Sequence, residues 1–261
     1  MKVRKVQQKR GWAIDLAVVI LKPALFSTTR RTWIDGQKIP AEGGCIVVVN
    51  HMSHVDPLLT ALFVYDHGRI PRYLAKSGLF KNKLLANFLT AAGQIPVERL
   101  SRTAIGAYDA AVAAVRAGEC VIVYPEGTLT RDPDLWPMTG KSGAARIALE
   151  TGCPVIPVGH WGVQEILPPY SSRPHLFPRQ HVTMKAGDPV DLRDLVGKTR
   201  STEAINAATA RIMAALTAIV EELRGETAPA ERFDPRRMGV QQIGNPNKRK
   251  GRKERKKDTE K

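Results

Sequence analysis

Apolar residues along this chain alternate between two kinds of run. After Gly43-Gly44 the stretch Cys45 to Val49 is short, β-branched and wholly apolar, the pattern of a strand buried on both faces. Asp56-Pro57 then predicts a helix start, running to about Tyr65, because Asp suits a helix N-cap and Pro the first turn. The same reading predicts a strand over Arg72 to Ala75, a helix from about Lys81 to Ala92 and a brief strand over Gln94 to Val97. Ser101 opens an Ala-rich helix ending near Gly118, with Ile105, Val112 and Val115 on its apolar side. Further strands are predicted at Cys120 to Tyr124, Pro154 to Val158 and His181 to Ala186, with a helix over Ser142 to Glu150. Ile205, Ile212, Leu216, Ile219, Val220 and Leu223 make Thr202 to Arg224 an amphipathic helix. Strands alternating with helices imply an α/β fold: a largely parallel central sheet flanked by helices. Ligands gather at the carboxyl ends of such strands, and the segments Asn50–Asp56, Glu98–Arg99 and Pro125–Arg131 all begin there.

The two ends read differently. Lys2, Arg4, Lys5, Lys9 and Arg10 precede the apolar run Trp12 to Leu21, which Asp15 interrupts and Lys22-Pro23 is expected to close. That run is too short and too polar to span a bilayer, which takes ~20 apolar residues. No small-x-small cleavage site follows it. An interfacial helix is the preferred reading, with a buried helix and a signal peptide as alternatives. Beyond Gly225 the composition is loop-like, and from Lys248 it becomes a Lys/Arg-dense, disordered tail. The expected organisation is therefore residues 1–35 as a membrane-docking segment, 36–225 as the folded domain and 226–261 as a flexible basic tail.

Composition narrows the partners. At 261 residues and 43% hydrophobic the chain can bury a real core, and a formal charge of +15 calls for an anionic partner: nucleic acid, phosphorylated metabolite or anionic membrane. Cys45, Cys120 and Cys153 form no C-x-x-C pair, so neither a disulfide framework nor a structural zinc site is indicated and a reducing cytoplasmic location follows.

Four segments carry candidate chemistry. Asn50-His51-Met52-Ser53-His54-Val55-Asp56-Pro57 puts a His, the usual general base near neutral pH, within a turn of a carboxylate able to fix its tautomer. The plainer alternative is a polar turn with Asp56 as helix N-cap. Zinc on His51 and His54 would lack a third ligand, so no metal is expected. Gly93 to Arg99 and Lys76 supply basic groups that are otherwise solvated surface charges. Tyr124-Pro125-Glu126-Gly127-Thr128-Leu129-Thr130-Arg131 is a turn whose glycine lets backbone approach a ligand, or simply a Pro-Gly turn. Val155-Ile156-Pro157-Val158 is an apolar strand with Pro. Gly140-Lys141-Ser142 mimics the end of a P-loop, but Leu135 stands where that loop needs Gly.

In this order the four segments resemble the motifs of the glycerolipid acyltransferase superfamily, in particular the lysophosphatidic acid acyltransferases. The Asn-His-x-x-x-x-Asp signature is complete at Asn50, His51 and Asp56, and the remaining blocks run on to Val158. The resemblance implies His51 and Asp56 as catalytic residues and Lys76, Arg99 and Arg131 around the acceptor phosphate. Glu126, Gly127 and Thr128 would form a substrate-binding loop. The chain departs from the family pattern at Leu129, where Arg is usual.

The implied reaction is acyl transfer from acyl-CoA or acyl carrier protein, as co-substrate and with no bound cofactor, onto 1-acyl-sn-glycerol-3-phosphate, giving phosphatidic acid. Another lysophospholipid or glycerol-3-phosphate is the alternative acceptor. An anionic membrane surface is the expected partner, at the cytoplasmic face of the cell membrane, with the protein peripheral or monotopic. A nucleic-acid-binding protein is the rival class. It lacks a recognised motif here, and aromatics do not interleave with the basic run, so no nucleic acid is expected.

Overall fold

The structure, a computed structural model, describes residues 3–97 and 104–240. Helix α1 (Trp12–Thr28) leads directly into β1 (Thr29–Ile34), followed by β2 (Cys45–Val49) and α2 (Asp56–Asp66). Strand β3 (Pro71–Lys76), a 3-10 turn (Ser77–Lys81), α3 (Lys83–Ala91) and β4 (Ile95–Val97) come next. Then α4 (Ala104–Arg116) precedes β5 (Cys120–Val123), and α5 (Gly143–Thr151) precedes β6 (Val155–Trp161). The short α6 (Val163–Ile166), β7 (Gln180–Ala186) and α7 (Thr202–Arg224) complete the series.

All strands join one seven-stranded sheet in the order β1-β7-β6-β2-β5-β3-β4. From β6 to β4 every pairing is parallel; β7 runs antiparallel to β6, and β1 parallel to β7. The α/β reading therefore holds, with a mostly parallel sheet. Its two faces follow from side-chain alternation along the central strands. Ile46, Val48, Val121, Val123 and Val155 pack with α4, α5 and α7. Cys45, Val47, Val49, Cys120, Ile122, Ile156 and Val158 pack with α2, α6 and Leu25 of α1. Fully burying each such side chain contributes ~1.5–3 kcal/mol. By length and composition α7 could cross a membrane, but half of its apolar window is buried in the domain.

Three departures from the sequence reading have physical causes. First, β1 was not expected: exposed Arg30 and Thr32 alternate with the buried or half-buried Thr29, Arg31 and Trp33, and the charged residues mask the pattern of an edge strand. It lies inside the stretch assigned to docking yet is hydrogen-bonded into the sheet through its register with β7. Second, α1 does not close at Lys22-Pro23 but continues to Thr28. The hydrogen bond that Pro23 cannot donate would go to Val19, whose side chain is 70% exposed, so the loss falls on the outer side of the helix. Third, the helix expected from about Lys81 begins two residues later, because the Asn82 side chain accepts from Leu84 N–H and Leu85 N–H and so caps α3.

The N-terminal segment is fastened to the domain. Asp66, almost wholly buried, accepts from Lys22 Nζ at 2.8 Å and from Trp33 Nε1 at 3.1 Å. Arg4 N–H donates to the Asp66 carbonyl, and the Arg4 guanidinium to the carbonyls of Ile39 and Gln37. Past Gly225 the chain also returns to the surface, with Thr139 N–H donating to Phe233 O and Pro235 buried. The Lys/Arg-dense run from Lys248 lies outside the described residues.

Candidate active site

The carboxyl ends of β2, β5, β3 and β4 face the same edge of the sheet, and the loop leaving each of the first two meets the other. Of the two readings of Asp56, the plainer one fails, since it does not cap α2. Residue Val55 holds that position with no side-chain cap bond. Instead the Asp56 carboxylate turns back over the loop: Oδ2 accepts from Met52 N–H at 2.7 Å, Ser53 N–H at 2.8 Å and His51 Nδ1 at 2.9 Å. It is completely buried, and desolvation opposes its charge. The neighbouring His160 and His51 rings outweigh that, holding the carboxyl well below the usual carboxylate range.

This geometry sets the His51 tautomer. With Nδ1–H donated to a carboxylate, the ring's lone pair is on Nε2, which has no hydrogen-bond partner among the described residues. Tyr124 stacks on the imidazole at 4.2 Å between centroids and 25° between planes, fixing the ring's tilt. His51 is 14% exposed and, with Tyr124, Tyr73 and Pro57, lines an apolar cavity of about 410 Å³. The cavity's other walls are Ile14, Val18 and Leu21 of α1, Leu58 and Leu62 of α2, and Phe88 of α3. That volume is in the range of small-ligand sites.

The second loop clamps the first. Glu126 Oε1 accepts from His51 N–H and its Oε2 from Met138 N–H, both at 3.0 Å, while Thr130 N–H donates to the His51 carbonyl at 2.6 Å. Burial pushes the Glu126 carboxyl up to about 8, against the opposing pull of those two N–H donors. Gly127 takes φ +70° in the tight turn, where an added Cβ would sit 2.7 Å from Lys141 Nζ. Thr128 is half-buried beside it. Leu129, at the position where Arg is usual, is buried and its carbonyl accepts from Tyr170 OH. The Arg131 guanidinium lies over the Tyr170 ring at 5.6 Å.

So the structure brings His51, Asp56, Glu126, Gly127 and Thr128 into one connected group. Lys76 ends β3, its Cα in register with Val97 of β4. Arg99 lies outside the described residues. Sequence reasoning missed two members: the stacking role of Tyr124 and a buried pair between Asn50 and His160. The sequence signal for His160 was its place just past an apolar strand predicted over Pro154 to Val158; that the strand lies beside β2 comes only from the sheet order. Among the described residues no cluster of three or more His, Cys, Asp or Glu side chains is arranged to hold a metal ion.

A model of the acyltransferase family matches residues 31–161, a span that holds the whole His51 group. The chain belongs to the acyltransferase family. Among acyltransferase relatives, the chloroplastic 1-acyl-sn-glycerol-3-phosphate acyltransferase BAT2 of Brassica napus is 31% identical over 125 residues, 48% of this chain and 35% of that protein. The 1-acyl-sn-glycerol-3-phosphate acyltransferase of Bacillus subtilis is 27% identical over 176 residues, 65% of this chain and 81% of that one. The chain thus spans about a third of the plant relative. Crystallographic PlsC of Thermotoga maritima, a 1-acyl-sn-glycerophosphate acyltransferase, aligns with a TM-score of 0.61 at 23% identity, covering 83% of this chain and 81% of that chain. That likeness shows that this acyltransferase shares its fold.

Proposed function

We propose that the chain transfers a fatty acyl group from an acyl thioester to the free hydroxyl of 1-acyl-sn-glycerol-3-phosphate, forming phosphatidic acid. The observation that carries this reading is the His51–Asp56 pair opening onto an apolar cavity. A base with its lone pair at such a cavity suits an acceptor whose reacting hydroxyl is attached to hydrocarbon. The names of the relatives point to the same acceptor.

In this mechanism His51 Nε2 takes the hydroxyl proton as the oxygen attacks the thioester carbonyl. The C–O bond forms, the tetrahedral intermediate collapses with loss of the C–S bond, and the imidazolium returns its proton to the thiolate. Asp56 stabilises the imidazolium through Nδ1. Acyl-CoA or acyl carrier protein acts as co-substrate, and the reading uses no bound cofactor. Lys76, Arg99 and Arg131 would hold the acceptor phosphate, the arginines through guanidinium's fork of donors and the lysine as a point charge. Glu126, Gly127 and Thr128 would shape the wall beside the reacting carbonyl.

The same reading puts the protein on an anionic bilayer as a peripheral enzyme of the cytoplasmic face. Trp12, Leu16, Val19 and Ile20 of α1 are exposed, as are Leu84 and Leu85 of α3. These helices contact each other through Trp12 and Phe88 and both line the cavity. Exposed Lys5, Lys9, Arg10, Lys81 and Lys83 flank them. Apolar side chains rimmed by cations suit insertion among acidic headgroups.

Incubation with radiolabelled acyl-CoA and lysophosphatidic acid tests the reading, and phosphatidic acid should form equally with and without chelator. Transfer only to a different lysophospholipid would change the acceptor. No transfer to any lysolipid from either carrier would end the proposal.

A further inference from the structure

His160 is completely buried, belongs to no motif the sequence displayed, and stands against the reacting group's carboxylate. Its backbone N–H donates to Asn50 Oδ1 at 2.9 Å, and Asn50 Nδ2 donates to the His160 carbonyl at 3.1 Å. Its ring Nε2 lies 2.9 Å from the Asn50 carbonyl oxygen and 3.6 Å from Asp56 Oδ2. Both neighbours are acceptors, so Nε2 carries the hydrogen. Nδ1 has no partner among the described residues, so the ring's one engaged edge is the one turned to Asn50 and Asp56.

Asn50 is the last residue before His51, and Asp56 Oδ2 is the atom that holds His51 Nδ1. We propose that His160 is a positioning residue for the His51 base: its Nε2–H pins the Asn50 carbonyl and supports the Asp56 carboxylate, so that Asp56 meets His51 in one orientation. The proposal rests on the reading of His51 as the base. Other charged groups on the packed elements are engaged elsewhere. Lys185 of β7 pairs with Glu222, and Arg224 of α7 stacks on Trp161 at 4.4 Å. On β7 the residue in register with His160 is the apolar Met184. Besides Asp56, the titratable groups joined to this network are His51, on Asp56 Oδ2, and Glu126, on the His51 N–H. The hydrogen bond of Nε2–H goes to the Asn50 carbonyl, and Asp56 Oδ2 at 3.6 Å feels the N–H dipole, which the site's low dielectric strengthens.

The test compares His160→Ala, His160→Asn and His160→Gln in the full chain. Glutamine can place an N–H near the Nε2 position, whereas asparagine is too short to do so. Alanine and asparagine should lower kcat by about 2- to 10-fold, the worth of one neutral hydrogen bond, with acceptor KM little changed. Glutamine should restore most of the loss. Without the donor, Asp56 is the stronger acceptor and favours the protonated His51, so the acid limb of the kcat profile should move to higher pH in the alanine and asparagine proteins. Nitrogen-15 spectra of the imidazoles provide a readout that needs no substrate. Wild type should show His51 as the Nδ1–H tautomer and His160 as Nε2–H, and losing the donor should disturb the His51 signals. If His160→Ala fails to fold, the asparagine and glutamine proteins carry the comparison. Equal activity in all variants, or equal loss with an unmoved acid limb and unchanged His51 signals, overturns the proposal. A wild type inactive on lysophosphatidic acid would instead refute the acceptor reading, leaving the spectra to judge His160.

Discussion

At the scale of single residues, the site is an exchange between two loops through His51. Its ring is held by Asp56 and Tyr124, its N–H by Glu126 and its carbonyl by Thr130. His51→Ala should therefore lower kcat by roughly 10²–10⁴-fold, the usual worth of a general base, while the fold survives. Asp56→Asn should also impair turnover. An amide oxygen can still accept from one N–H but carries no charge to stabilise the imidazolium. A folded His51→Ala protein with wild-type turnover would remove the mechanism. Glu126 makes a separate prediction about stability. Its folded carboxyl is raised from 4.5 to about 8, so the folded state binds more protons than the unfolded between those values. Stability should then fall as pH rises through that window, by at most ~1.4 kcal/mol per unit, and level off above it. Asp56 is shifted the opposite way, so its contribution is lost only as pH falls through the acid range. Denaturant unfolding of wild type and Glu126→Gln from about pH 5 to 8 isolates the effect. The gap between the two should shift in favour of the glutamine protein as pH rises. Parallel curves would mean that Glu126 is not held protonated by burial.

At the scale of elements, α1 has two roles that the sequence pattern merged into one. Ala13, Ile14 and Leu25 are buried in the domain, whereas Trp12, Leu16, Val19 and Ile20 on the other side are exposed. Removing the whole segment would also strip Lys22 from the buried Asp66 and open the cavity wall, so truncation confounds docking with folding. Substitution of the exposed positions separates them. Val19→Ser with Ile20→Ser on α1, or Leu84→Ser with Leu85→Ser on α3, should leave thermal stability within ~0.5 kcal/mol of wild type. Either pair should weaken sedimentation with anionic vesicles by about tenfold or more, since each fully inserted side chain is worth ~1.5–3 kcal/mol. Turnover of a short, soluble acceptor should persist. Unchanged pelleting of both double variants would place the membrane contact elsewhere on the protein.

At the scale of the whole molecule, a formal charge of +15 adds a long-range attraction to the local apolar one. The attraction of each surface cation, ~1 kcal/mol near an acidic bilayer, is screened by salt, and apolar insertion is not. Raising salt should thus weaken vesicle binding to a floor, and vesicles without acidic lipid should start near that floor. Salt-independent binding that is equally strong on uncharged vesicles would exclude a part for the charge. The sequence alone determined most of the sheet. Cys45–Val49, Cys120–Val123 and the helix over Thr202–Arg224 were legible because burial on one or two faces imposes a period on local composition. It also determined that His51, Asp56 and Glu126 would share an edge, since successive parallel strands end on the same side. Strand order was beyond it, so it could not tell that β6 would lie beside β2 and bury His160 against Asp56. Nor could local pattern choose between Asp56 as a helix N-cap and Asp56 as the partner of His51, or show that Tyr124 would stack on the imidazole and that α1 would run through Pro23. Those outcomes depend on contacts between residues far apart in the chain, whose energies only the assembled structure brings together.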